Sequence, residues 1–169
     1  MSVYSVDKLI AQARLLATEY RRTTGRPLAG ISGEISQYDA ARLLDLELRP
    51  GESAGYDAIG RGKREGKRVQ IKARAIFDQS KSGQRVGQIK IDQDWDIVVL
   101  VLMDEGFEPF EIYEADREGL VESLGHRSSS NRSKRGAMSV AKFKAIGRLV
   151  WTRENGSEDD GIWDNQARP

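Results

Sequence analysis

The chain has no cysteine and a single histidine, His126. The first absence excludes disulfides and thiolate zinc sites and agrees with a reducing cytosol. The second excludes a histidine-metal nuclease and leaves a Ser-His-Asp triad with one base in a polar loop. No apolar run approaches the ~18 residues of a membrane span, and the opening MSVYSVDKLIAQ lacks the basic-then-apolar order of a signal peptide. These absences predict a soluble, cytoplasmic protein with no membrane partner. A net charge is nearly missing too: Lys+Arg 27 against Asp+Glu 26 gives +1, so the total points to neither nucleic acid nor a lipid surface.

The distribution of charge says more than its sum. Residues 61–90 carry ten basic and two acidic groups, residues 92–122 one and eleven, and residues 126–148 seven and none. Two basic blocks flanking an acidic one allow a positive face on a neutral protein. With 169 residues and 38% hydrophobic content, the chain fits one compact domain, expected over residues 1–152, followed by a polar, acidic tail over 153–169.

Apolar spacing predicts the elements. Val6, Leu9, Ile10, Ala13, Leu16, Ala17 and Tyr20 form one helical stripe, which Ser5 can cap and which stops near Gly25-Arg26-Pro27. A second helix is expected from about Ser32 to Leu46, with Glu34 inside the arc of Ile31, Ile35, Tyr38 and Ala41. Strands are expected near Tyr56–Gly60, Arg68–Ile76, Asp96–Met103 and Pro109–Tyr113. The third, DIVVLVLM, is apolar enough for a central strand covered on both faces. A short helix near Asp116–Leu124, a loop GHRSSSNRSKRG and a helix SVAKFKAIGRLVW capped by Ser139 complete an α/β pattern, with a mixed sheet and helices on both sides.

The stretch GYDAIGRGKREGKRVQIKAR, residues 55–74, carries the chemistry. The two-residue period of a strand aims Gln70 and Lys72 at one face, with Val69, Ile71 and Ala73 on the other. A hairpin through GRGKREGK brings Asp57 beside them, and the second helix can add Glu34. Asp57 and Glu34 offer hard oxygen ligands for Mg²⁺ or Mn²⁺, which Gln70 and the Ile71 carbonyl can complete. Lys72 can orient an attacking water or offset charge in the transition state, so the set suits phosphodiester hydrolysis. GRGKREG is not a P-loop, because it lacks the GK[ST] ending and leads into a strand. DQDWD is not a calcium loop, because Ile97 and Met103 occupy its sixth and twelfth positions.

The pattern Glu34 … Gly55-Tyr56-Asp57 … Gln70-Ile71-Lys72 resembles the core of the PD-(D/E)XK nuclease superfamily, which includes many restriction endonucleases, resolvases and repair nucleases. The resemblance covers roughly residues 5–115. It implies a restriction-endonuclease-like αβββαβ core, with Asp57 as the first acid, Gln70 in the second acidic position, Lys72 as the catalytic lysine and Glu34 as the extra helical acid. Gln70 departs from the family's Asp or Glu: an amide is a weaker metal ligand and removes one negative charge, and some members that cut modified DNA carry it. No proline precedes Asp57, as in many members.

The implied activity is metal-dependent DNA hydrolysis. Phosphate contacts are expected from Arg61, Lys63, Arg64, Arg127, Arg132 and Arg135, with a second copy or a partner subunit as a further source of recognition. The alternatives are a catalytically weak or inactive protein of the same fold that binds nucleic acid or a partner protein, and a pure interaction or immunity-type module without the site.

Overall fold

The computed structural model describes residues 5–49, 55–81, 83–125 and 137–158. Helix α1 (Val6–Thr24) starts where the Ser5 side chain accepts from the Lys8 N–H at 3.4 Å, and ends at Gly25 with φ 74°. Helix α2 (Ile31–Leu44) buries Ile35, Ala40 and Leu44. The expected α1 stripe is only partly used. Ala17 is buried and Ile10 and Ala13 pack on the core, but Val6, Leu9 and Leu16 stay exposed. Arg14 is the reason: its guanidinium holds both oxygens of the fully buried Asp39 of α2, at 3.1 and 3.0 Å, and also donates to the Phe107 carbonyl. That ion pair rolls α1 toward its Arg14 side.

The described strands form one sheet in sequence order: β1 (Leu46–Leu48), β2 (Ala58–Gly60), β3 (Arg68–Ala75), β4 (Ile97–Met103), β5 (Pro109–Asp116), β6 (Arg148–Thr152) and β7 (Gly156–Ser157). Only β3 and β4 run parallel, which makes the sheet mixed. All seven β4 residues are buried, as its unbroken apolar sequence predicts. One core lies on the Val69, Ile71, Val99 and Val101 face under α1 and α2. The other lies on the Val98, Leu100 and Leu102 face under α3 (Arg117–Gly125) and α4 (Val140–Ile146). The molecule is therefore an α/β domain with helices on both faces of a mixed sheet.

Two expectations change. The αβββαβ order places a helix between the third strand and its parallel successor, but the crossover over 76–96 holds no helix among its described residues. Its backbone is held instead by neighbours: Val86 N–H donates to Met138 O, Val140 N–H to Gln84 O, and the Trp95 indole to Lys90 O. The long C-terminal helix is also shorter than expected, because Gly147 breaks it. A Cβ at Gly147 would lie 2.6 Å from Glu114 O, and this close approach turns the chain into β6 on the β5 edge. The sheet continues beyond residue 152 through β7, whereas 159–169 of the expected tail lie outside the described residues. No helix among the described residues is long and apolar enough to cross a membrane.

Candidate active site

Asp57 stands immediately before β2, where the β2–β3 ladder gives out. Its N–H donates to Val69 O at 2.8 Å, and its Oδ2 accepts from the Ile71 N–H at 2.7 Å. Ala58 pairs with Val69 and both belong to the core under α2, whereas Asp57, in the bend before β2, sets its carboxylate on the Ile71 N–H at the edge of β3, near enough to act on Lys72. Of the four groups expected to converge, Gln70 and Lys72 share one face of β3 and Asp57 acts on the Lys72 charge. Ile71 turns its N–H to Asp57, so its carbonyl points to the same edge of β3, past the end of β2.

Gln70 is 5% exposed. Its Nε2 donates to Gly55 O at 3.0 Å, which fixes the amide with the nitrogen toward that carbonyl, and its buried Oε1 has no partner. Gly55 is held in turn: φ is 106°, and a Cβ there would lie 2.9 Å from Gln93 Cβ and 3.0 Å from Asp94 N. The 93–94 part of the crossover thus braces the turn that orients Gln70. Arg117 secures that part by donating to the carbonyls of Ile91, Gln93 and Trp95. At the base of the strands, Arg68 ties to both oxygens of Asp96, at 3.1 and 3.2 Å, locking the β3–β4 register.

Lys72 is half-buried beside this group. Burial is the main influence on its ammonium and pushes the pKa below the ordinary lysine value; Asp57 acts to raise it and Lys90 to lower it. Lys90, in the crossover, is therefore a neighbour that sequence reasoning counted in a basic block and did not assign. Its only signal was charge, since nothing in the sequence says where a 21-residue irregular crossover returns.

The other expected residues are placed elsewhere. Glu34 is exposed in the first turn of α2, the helix packed on the Val69 and Ile71 face, opposite Gln70 and Lys72. Arg64 is 8% exposed and pairs with buried Glu114, which also takes Arg148 at 3.3 Å, so it serves the fold. Arg61 is exposed and pairs with Glu47 at 3.0 Å, which raises its pKa chiefly through that hydrogen bond. Lys63 is exposed. His126, Arg127, Arg132 and Arg135 lie outside the described residues.

Among the described residues no cluster of three or more His, Cys, Asp or Glu could hold a metal ion. The donor set of Asp57, the unpartnered Gln70 Oε1 and the Ile71 carbonyl nonetheless fits Mg²⁺, which typically takes one or two carboxylates and completes its shell with water and substrate phosphate. No family model matches this chain, and no curated protein matches it.

Proposed function

We propose that this protein is a Mg²⁺-dependent phosphodiesterase acting on DNA, of the PD-(D/E)XK kind, with a restriction-endonuclease-like fold. The observation that carries the reading is a buried, unpartnered acceptor, Gln70 Oε1, on the same face of β3 as a half-buried Lys72, with Asp57 near enough to act on that lysine. Leaving such an acceptor unsatisfied costs about 1–3 kcal/mol, a cost that a hard cation or its bound water would relieve. The order helix, three antiparallel strands, parallel fourth strand supports the fold assignment, with an irregular crossover in place of the helix before the fourth strand among the described residues.

In this reading Asp57 and Gln70 hold the ion, with Gly55 and Ile71 orienting them through their backbone groups. When bound, Mg²⁺ supplies Lewis-acid polarisation of a phosphoryl oxygen. Lys72 contributes a cation whose proton is held less tightly than usual, suited to orienting the attacking water and to offsetting charge as the phosphorus becomes five-coordinate. One feature favours a second reading, a DNA-binding protein that does not cut: Glu34 is exposed on the helix packed against the face opposite Gln70 and Lys72, leaving Asp57 as the one carboxylate of the expected set at the site.

Cleavage decides between them. Supercoiled, linear, single-stranded and methylated DNA are incubated with Mg²⁺ or Mn²⁺ beside Asp57→Ala and Lys72→Ala. The expected result is loss of orders of magnitude in rate in both variants with folding intact. Equal trace activity in all three proteins would establish the non-cutting reading.

A further inference from the structure

We propose that Arg74 forms a second phosphate subsite, holding the backbone phosphate next to the one engaged at Lys72. The inference rests on the phosphodiester reading of this face. Gln70, Lys72 and Arg74 alternate along β3 and pair in register with Val98, Leu100 and Leu102, so all three share one face. Two strand residues span roughly 6.6 Å, a step on the scale of one nucleotide of extended backbone.

Arg74 differs from the arginines that lock the described fold together. Arg14, Arg64, Arg68 and Arg153 end on carboxylates, and Arg117 on three carbonyls. Arg74 ends on neither. It is half-buried, its Nε is buried with no partner, and no carboxylate among the described residues pairs with it. On the same face two strands away, Glu111 has Lys144 at 3.3 Å as its ion-pair partner, although its buried Oε2 makes no hydrogen bond. A partly desolvated guanidinium without a counter-charge is costly, and its planar fork matches phosphate better than any ligand built into the fold. Access is open as well: β2 covers β3 only at Arg68 and Val69, so beyond Ile71 that edge has no strand neighbour among the described residues. A chain of phosphates can lie along β3 from Asp57 toward Arg74.

Two measurements test this. The first is binding of a fluorescein-labelled single-stranded DNA 12-mer across a salt series, for wild type, Arg74→Gln, Arg74→Met, Arg74→Lys and Asp57→Asn, each checked by thermal melting. Arg74→Met keeps the apolar stem should the glutamine variant fail to fold. The neutral variants are expected to lower the log–log salt slope by about 0.7, the loss of one single-strand phosphate contact, and Arg74→Lys to retain it. The second is hydrolysis of bis(4-nitrophenyl) phosphate, which has one phosphodiester and no neighbour. In the neutral variants, kcat/KM for DNA should fall at least tenfold further than kcat/KM for this small diester.

An unchanged salt slope in a folded neutral variant overturns the subsite, even where Asp57→Asn abolishes cleavage and the parent reading stands. A reduced slope in a protein that hydrolyses neither substrate keeps the subsite and removes the cutting activity. Equal losses on the two substrates would place Arg74 at the reacting phosphate and overturn the proposal, and wild type without salt-dependent binding overturns both.

Discussion

Gln70→Glu tests the centre of the site, because it keeps the shape and changes the charge. Without metal, the variant loses the amide N–H that donates to Gly55 O at 3.0 Å and sets a carboxylate against that carbonyl and near Asp57. Exposing a buried carbonyl to an acceptor costs about 1–3 kcal/mol, or roughly 2–4 °C in Tm per kcal/mol for a domain of this size. Burial and the Asp57 charge both push the introduced carboxyl's pKa up. Below that pKa the protonated acid donates to Gly55 O and the cost vanishes; as pH rises through it, stability is lost. With Mg²⁺ the order reverses, since the added anionic oxygen is a better ligand than the amide. Saturation at a hundredfold excess over Kd returns about 2.7 kcal/mol. Thermal melting from pH 5 to 8, with and without Mg²⁺, reads both effects, and calorimetry gives the affinity. A variant as stable as wild type at pH 8 without metal, with no gain in Mg²⁺ affinity, would refute both the Gly55 hydrogen bond and the ligand role.

Three further outcomes follow from the same geometry. Lys72 titrates below an ordinary lysine, so its protonated form costs stability at neutral pH and that cost is shed as pH rises through the folded value. Lys90→Ala should move its midpoint up and Asp57→Asn move it down, read by heteronuclear NMR of the lysine side chains; no change with Lys90→Ala would remove Lys90 from the site. Asp39→Ala leaves half-buried Arg14 with only the exposed Glu108, at 3.2 Å, as counter-charge, a loss of about 1.5–3 kcal/mol by urea unfolding, and a change under 1 kcal/mol would mean that the pair does not set the α1 packing. Gly55→Ala combines a φ of 106° with a 2.9 Å approach to Gln93, so it should cost about 1–3 kcal/mol and weaken Mg²⁺ binding through the displaced Gly55 carbonyl; unchanged metal affinity would separate Gly55 from the site.

Local rules were sufficient wherever one residue pattern has one structural answer. Ser5 and Gly25 bound α1, the unbroken apolar run of β4 required cover on both faces, and the alternation of Val69 to Lys72 put Gln70 and Lys72 on one side of a strand. Asp57 joined them because the hairpin returns its carboxylate to the Ile71 N–H. Contacts between elements were not legible in this way. The sequence places Glu34 on the apolar arc of its helix, but only packing decides which face of the sheet receives that arc, and it is the one opposite Gln70. Arg64 reads as a surface cation in a basic turn until the fold brings Glu114 beside it, fifty residues away along the chain. Arg14 turns α1 off its expected stripe for the same reason, since the energy of a buried ion pair depends on a partner that no local window contains. Lys90 and Arg74 acquire meaning only from what lies next to them: one is carried to Lys72 by an irregular crossover, and the other finds no partner for its buried Nε among the described residues.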